Sequence, residues 1–171
     1  MPKQVQRHNP LSPAEQKHFV DVVIPGRIEV ISACLREPEP SDPLLAAAAI
    51  HTRALASFLG IGVVNGKVTE DHRHYDHGDG SYEVKISDLQ GGALFTKEEL
   101  LQLDKGDREA IRSGFITVNC EFAHLTYWRD PENQDTRGGP VASYRPALIS
   151  RVRTFADTII RLVRSRVPAA P

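Results

Sequence analysis

A chain of 171 residues, 25% charged and 40% hydrophobic, with formal net charge −1, has the length of one domain. Its apolar content suffices for a sizeable core, which excludes wholesale disorder. Twenty-one basic residues against 22 acidic ones exclude a generic polycationic coat for nucleic acid, while a local basic face stays open.

Two cysteines, Cys34 and Cys120, cannot build a disulfide framework, so a reducing cytoplasm is the expected location. No apolar run approaches the ~18 residues of a membrane span, so no membrane partner is expected. Met1 to Pro10 is polar throughout. It is expected to be disordered and not to act as a signal peptide.

Ser12-Pro13-Ala14-Glu15 predicts a helix start. Serine and glutamate form a capping box, and proline takes the first helical position, where its missing N–H costs nothing. Val20, Ile24, Ile28, Ile31 and Leu35 then mark one apolar face. Pro25-Gly26 predicts a kink or short break, because proline removes a hydrogen bond and clashes with the carbonyl of Asp21. Glu37-Pro38-Glu39-Pro40 ends the element. A second helix opens at Ser41-Asp42-Pro43 with a stripe of Leu44, Ala48, His51, Leu55 and Phe58. Leu45, Thr52 and Leu59 widen it, and Gly60 is its natural stop.

Residues 61–92 differ in character and read as an insertion between helices, partly ordered at best. Ile61 to Val68 predicts a small hairpin with Asn65-Gly66 in a type I′ turn. Tyr82 to Ile86 reads as one short strand. Thr96 and Glu99 form another capping box, Asp104-Lys105-Gly106-Asp107 predicts a break, and helix resumes with Ile111, Phe115, Val118, Phe122 and Leu125. Trp128 to Pro140 is polar and glycine-rich and reads as loop. A last helix, about Tyr144 to Arg166, carries Leu148, Val152, Phe155, Ile159 and Leu162. The expected fold is all-α. It is an antiparallel four-to-five-helix bundle over 11–167, with the insertion at 61–92 and a flexible tail at 168–171.

His72-Arg73-His74-Tyr75-Asp76-His77 spells HxHxDH. It resembles the metal-ligand motif of the metallo-β-lactamase superfamily, in which imidazoles and a carboxylate on one loop suit zinc. That family places the motif after a buried strand. Here it follows Val68 to Asp71, which does not read as one. A zinc-dependent hydrolase using His72, His74, Asp76 and His77 is therefore the alternative reading.

Two other stretches carry a broader likeness. One is Ile50-His51-Thr52-Arg53-Ala54-Leu55-Ala56-Ser57-Phe58-Leu59. The other is Asn119-Cys120-Glu121-Phe122-Ala123-His124-Leu125-Thr126-Tyr127-Trp128-Arg129. Together they resemble small bacterial helical proteins related to the HEPN superfamily, with an HxRxLxxFL helix and a later NKxxAHLTYxR segment. The resemblance implies a helical bundle that forms a homodimer, needs no cofactor, and serves defence or a toxin–antitoxin pair. It also implies RNA or a cognate protein as partner. Many such domains are metal-independent ribonucleases with an arginine a few residues before a histidine. Carried over, His124 takes the place of the family histidine. Asn119 stands where the arginine would be. An amide bonds a phosphate oxygen but lacks the charge and the bidentate fork of arginine. The reading thus divides between a non-catalytic binding or regulatory module and a weak endoribonuclease. His124 and Asn119 would be the catalytic pair, and Arg53, Arg112 and His51 would hold substrate.

The residues also admit plainer roles. His124 suits a buried histidine bonded to a carbonyl or to Glu121, and His51 a satisfied core histidine. Arg151, Arg153, Arg161, Arg164 and Arg166 give the last helix a basic face. An Arg153-Asp157-Arg161 ladder would account for it as well as RNA would.

Overall fold

A computed structural model describes residues 3–4, 11–72, 75–76, 83–122 and 141–167. The chain is mainly helical, with two small antiparallel strand pairs among the described residues. Helix α1 (Pro13–His18) begins as its sequence dictates. The Glu15 N–H donates to Ser12 Oγ, and Glu15 Oε2 accepts from the Ser12 N–H at 2.7 Å. A π-helical turn (Phe19–Val23) leads into α2 (Ile24–Arg36). That turn resolves the Pro25 problem. The Ile24 N–H reaches back five residues to Phe19 O, and the wider turn places proline near the start of the following α-helix, where an N–H is dispensable.

Helix α3 (Asp42–Phe58) runs antiparallel to α2: Phe19 stacks on Phe58 with centroids 5.5 Å apart, and Arg27 meets His51 partway along. Its buried face is Leu45, Ala48, Ala49, Thr52, Leu55, Ala56, Phe58 and Leu59. The stripe is thus rotated from the expected one, and His51 and Leu44 sit half-buried at its edge.

The hairpin follows as β2 (Ile61–Val64) and β3 (Lys67–Glu70), with Val64 opposite Lys67. Asn65 and Gly66 both take positive φ, 50° and 70°, as a type I′ turn demands. Strand β1 (Lys3–Gln4) pairs with β4 (Tyr75–Asp76), so two residues of the terminus expected to be disordered belong to a sheet. The insertion is more integrated than its composition suggests: Ile61, Ile86 and Leu89 are core residues. Residues 83–85 form no strand. They lead into a 3-10 turn (Ile86–Asp88), because the Lys85 N–H is captured by Asp88 Oδ2 at 2.9 Å.

Helix α4 (Lys97–Gln102) starts at the Thr96–Glu99 capping box. The break falls at Leu103 and Asp104, and Lys105 to Asp107, expected to belong to it, already form the first turn of the next helix. Asp104 Oδ1 then accepts from the Asp107 N–H at 2.8 Å and caps α5 (Lys105–Thr117). A second π turn (Val118–Phe122) extends α5. The segment read as loop, 128–140, and the tail 168–171 lie outside the described residues.

Helix α6 (Val141–Arg166) closes the core with Val152, Phe155, Ile159 and Leu162, as its period predicts. It packs antiparallel to α5, with Asp107 beside Arg161 and Gly114 against Phe155. It also begins beside the start of α3, where Arg145 pairs with Asp42. Neighbouring helices in this core are therefore not all antiparallel.

Gly114 lets α5 and α6 approach closely. A Cβ there would lie 2.1 Å from the Phe155 ring. Gly114→Ala is expected to lower stability by about 1–3 kcal/mol through overpacking. That exceeds any gain in helix propensity, and chemical denaturation will read it as a lower midpoint at unchanged slope.

Candidate functional site

A cleft of about 660 Å³ opens where α2, α3, the hairpin and the second π turn meet. Both π turns border it, through Phe19 and Asn119. Apolar residues, Phe19, Val63 and Val84 among them, form part of its lining. Its polar groups come from four places. Arg27 stands on α2, Arg53 and Ser57 on α3, Asn119 on the π turn, and Asp71 and Glu83 on the segments that follow the hairpin.

One wall is held by a buried cation. Lys85 has 0% of its surface exposed. Its Nζ donates to Ser57 O at 2.8 Å and to Ser57 Oγ at 3.1 Å, and lies 3.2 Å from Glu83 Oε2. The Ser57 hydroxyl donates in turn to Glu83 Oε1 at 2.5 Å. Ser57 lies in the last turn of α3, where the negative end of the helix dipole favours a cation. The ammonium thus docks residues 83–85 against the helix end and neutralises Glu83.

The arginines of the cleft make no ion pair with a carboxylate, a trait shared among the described residues with Arg108, Arg151, Arg153 and Arg164. Arg36, Arg112, Arg145, Arg161 and Arg166 each pair with a carboxylate. Among the described residues, Arg53 has no hydrogen-bond or ion-pair partner, and Arg27 has only the imidazole of His51. The half-buried Asn119 side chain is likewise without a partner among the described residues.

The structure therefore brings Arg53 and Asn119 into one cleft and sets His51 beside it, behind Arg27. His51 is no core histidine: it accepts from Arg27 Nη1 at 3.0 Å. Burial first, and the positive field of Arg27 second, hold its pKa below the ordinary histidine value. Arg112 does not join the group. It is absent from the cleft lining, and its guanidinium is engaged by Glu109 through two bonds of 2.7 and 2.9 Å. His124 lies outside the described residues.

Of the HxHxDH string, only His72 has a described side chain. Its Nε2 lies 2.9 Å from Phe95 O, a bond that ties the hairpin exit to the start of α4. Asp76 is placed in β4 by its backbone, and His74 and His77 lie outside the described residues. Among the described residues, no three His, Cys, Asp or Glu side chains come together as a metal site would require.

Three arginines of the basic face of the last helix are engaged within the fold, while Arg151 and Arg164 are exposed and have no partner among the described residues. Arg153 donates to the carbonyls of Glu37 and Pro38, Arg161 bonds Asp107, and Arg166 bonds Glu99 and covers the Phe95 ring at 4.1 Å. Arg161 reaches across to α5 instead of forming the expected ladder with Asp157. Among the described residues, no helix is long and apolar enough to cross a membrane.

No protein-family model, curated protein or solved structure matches this chain.

Sequence reasoning missed Arg27, Ser57, Glu83 and Lys85. Lys85 sits in a Tyr-Glu-Val-Lys-Ile run whose alternation suggests a strand with lysine facing solvent. Lys85→Met removes the charge, takes one of the two donors from Ser57 O and leaves Glu83 Oε2 without its counter-ion. Stability should fall by about 3 kcal/mol, as when one member of a buried ion pair is lost. A urea midpoint within experimental error of wild type would show that the ammonium does not hold this wall.

Proposed function

We propose that this chain is a HEPN-like helical domain that binds RNA in the cleft at Arg53 and Asn119, and acts as a binding or regulatory module. One observation carries the reading. The cleft presents two arginines without carboxylate partners and an unpartnered amide beside apolar side chains. Guanidinium and amide groups suit phosphate oxygens, and apolar side chains suit the faces of unpaired bases. Arg112, read from the sequence as an alternative to Arg53 for the phosphate, gives way to Arg27.

The reading extends to a cytoplasmic homodimer in a defence or toxin–antitoxin setting. Any hydrolysis would be metal-independent, with His124 as general acid and base on the RNA 2′-hydroxyl and scissile phosphate. Asn119, which supplies no charge, would make that cleavage weak. A transition state held by amide and remote guanidinium lacks the electrostatic clamp that dominates such reactions.

Single-stranded RNA binding followed by fluorescence anisotropy tests the proposal. Arg53→Ala should weaken binding about tenfold and reduce the salt slope by about one. Unchanged affinity and slope would remove the cleft from the account. If the domain also cleaves RNA, His124→Ala should abolish cleavage and leave binding largely intact.

A further inference from the structure

Arg27 lies in the first turns of α2, directly after Pro25-Gly26 and the π turn. Its Nη1 is 3.0 Å from Nδ1 of His51. A guanidinium has donors and no acceptor, so Nδ1 must present its lone pair and the imidazole proton must sit on Nε2. His51 is therefore neutral in this arrangement. The consequence concerns charge. A carboxylate would orient Arg27 equally well, but it would cancel the positive charge that the cleft offers. A neutral imidazole fixes the guanidinium and leaves its charge intact.

We propose that Arg27 is a second anion-binding arm of the cleft, aimed by His51, and that it takes a phosphodiester group of the bound RNA. The proposal rests on the cleft reading above and assigns it a residue that neither the motif nor the resemblance marks.

The same geometry couples binding to a proton. The charged groups that border this end of the cleft are Arg27 on α2, Arg53 on α3, and Asp71 and Glu83 on the opposite wall. Lys85 neutralises Glu83, and Arg27 is the charge that acts on His51. Burial and Arg27 disfavour the imidazolium in the free protein. An imidazolium has two N–H donors and no lone pair, so protonation of His51 breaks the bond that aims Arg27 and sets two cations against each other. Binding through the aimed guanidinium therefore requires neutral His51, and by linkage affinity falls as pH falls through its titration. The phosphodiester itself keeps its charge across this range. Stability of the free protein runs in the same direction. The depressed pKa makes His51 favour folding at neutral pH, a contribution lost as pH falls through its folded value.

The test uses the full chain and a fluorescent single-stranded oligouridylate at constant ionic strength, with affinity measured near pH 5.5 and near pH 8. Wild type should bind several-fold more weakly at the lower pH. Arg27→Gln should weaken binding about tenfold near pH 8. His51→Gln keeps an oxygen that accepts from Arg27 but does not titrate. It should match wild type near pH 8 and lose the pH dependence. A His51→Gln profile identical to wild type would overturn the proposal. So would full affinity in a folded Arg27→Gln while Arg53→Ala binds weakly. If Arg27→Gln does not fold, the His51→Gln profile decides alone. Absence of wild-type binding, or indifference to Arg53→Ala, would overturn the cleft reading itself, and this proposal with it.

Discussion

Burying a lysine ammonium completely costs several kcal/mol unless its donors are met and its charge is balanced. In this chain Lys85 meets both conditions at the C-terminal end of α3. The Ser57 carbonyl and hydroxyl accept from it, and Glu83 supplies the counter-charge. The Ser57 carbonyl also accepts from the Gly60 N–H, so the helix end, the reversal at Gly60 and the docked segment share one acceptor. Residues 83–89 then follow in a fixed path and carry Ile86 and Leu89 into the core. Without that pin the segment has few ties of its own, since it makes no strand ladder and only a single turn of 3-10 helix.

The cleft is a consequence of this arrangement. One wall is the docked segment at Glu83 and Val84, and another is the α3 face from Arg53 to Phe58. The two π turns open the remaining sides by widening the helices at Phe19 and Asn119. Such turns leave the regular i to i−4 ladder and are frequent at functional sites. Arginines with carboxylate partners tie helix to helix, as Arg145, Arg161 and Arg166 do. Arg27 and Arg53, which face the cleft, have no carboxylate partner.

The parts of the fold legible in the sequence are those decided locally. Ser12–Glu15 and Thr96–Glu99 close their capping boxes within four residues, and Asn65-Gly66 fixes its own turn through positive φ. The apolar period of α6 survives because one broad face is buried along most of its length. Contacts between distant segments were not legible. The period of α3 permits several stripes, and the true one is set by α2, α5 and α6, which leaves His51 at an edge beside Arg27. Arg153 and Arg161 look like a ladder along one helix, yet each finds its partner across the core. Arg53 and Asn119 were legible as candidates through the HEPN-like pattern, whereas their meeting in one cleft depends on the packing of α3 against the second π turn, which no periodicity reveals.

The most direct test of this account is amide hydrogen exchange in wild type and Lys85→Met, read residue by residue. The Gly60 amide donates to the Ser57 carbonyl and the Phe95 amide to the Leu59 carbonyl, and both report on the wall around the α3 end. The account predicts that protection at Gly60, Leu89, Gly92 and Phe95 collapses in the variant, while the paired α5 and α6 amides stay protected. Equal protection of the 83–95 segment in both proteins would contradict it, and would mean that apolar packing alone builds the cleft.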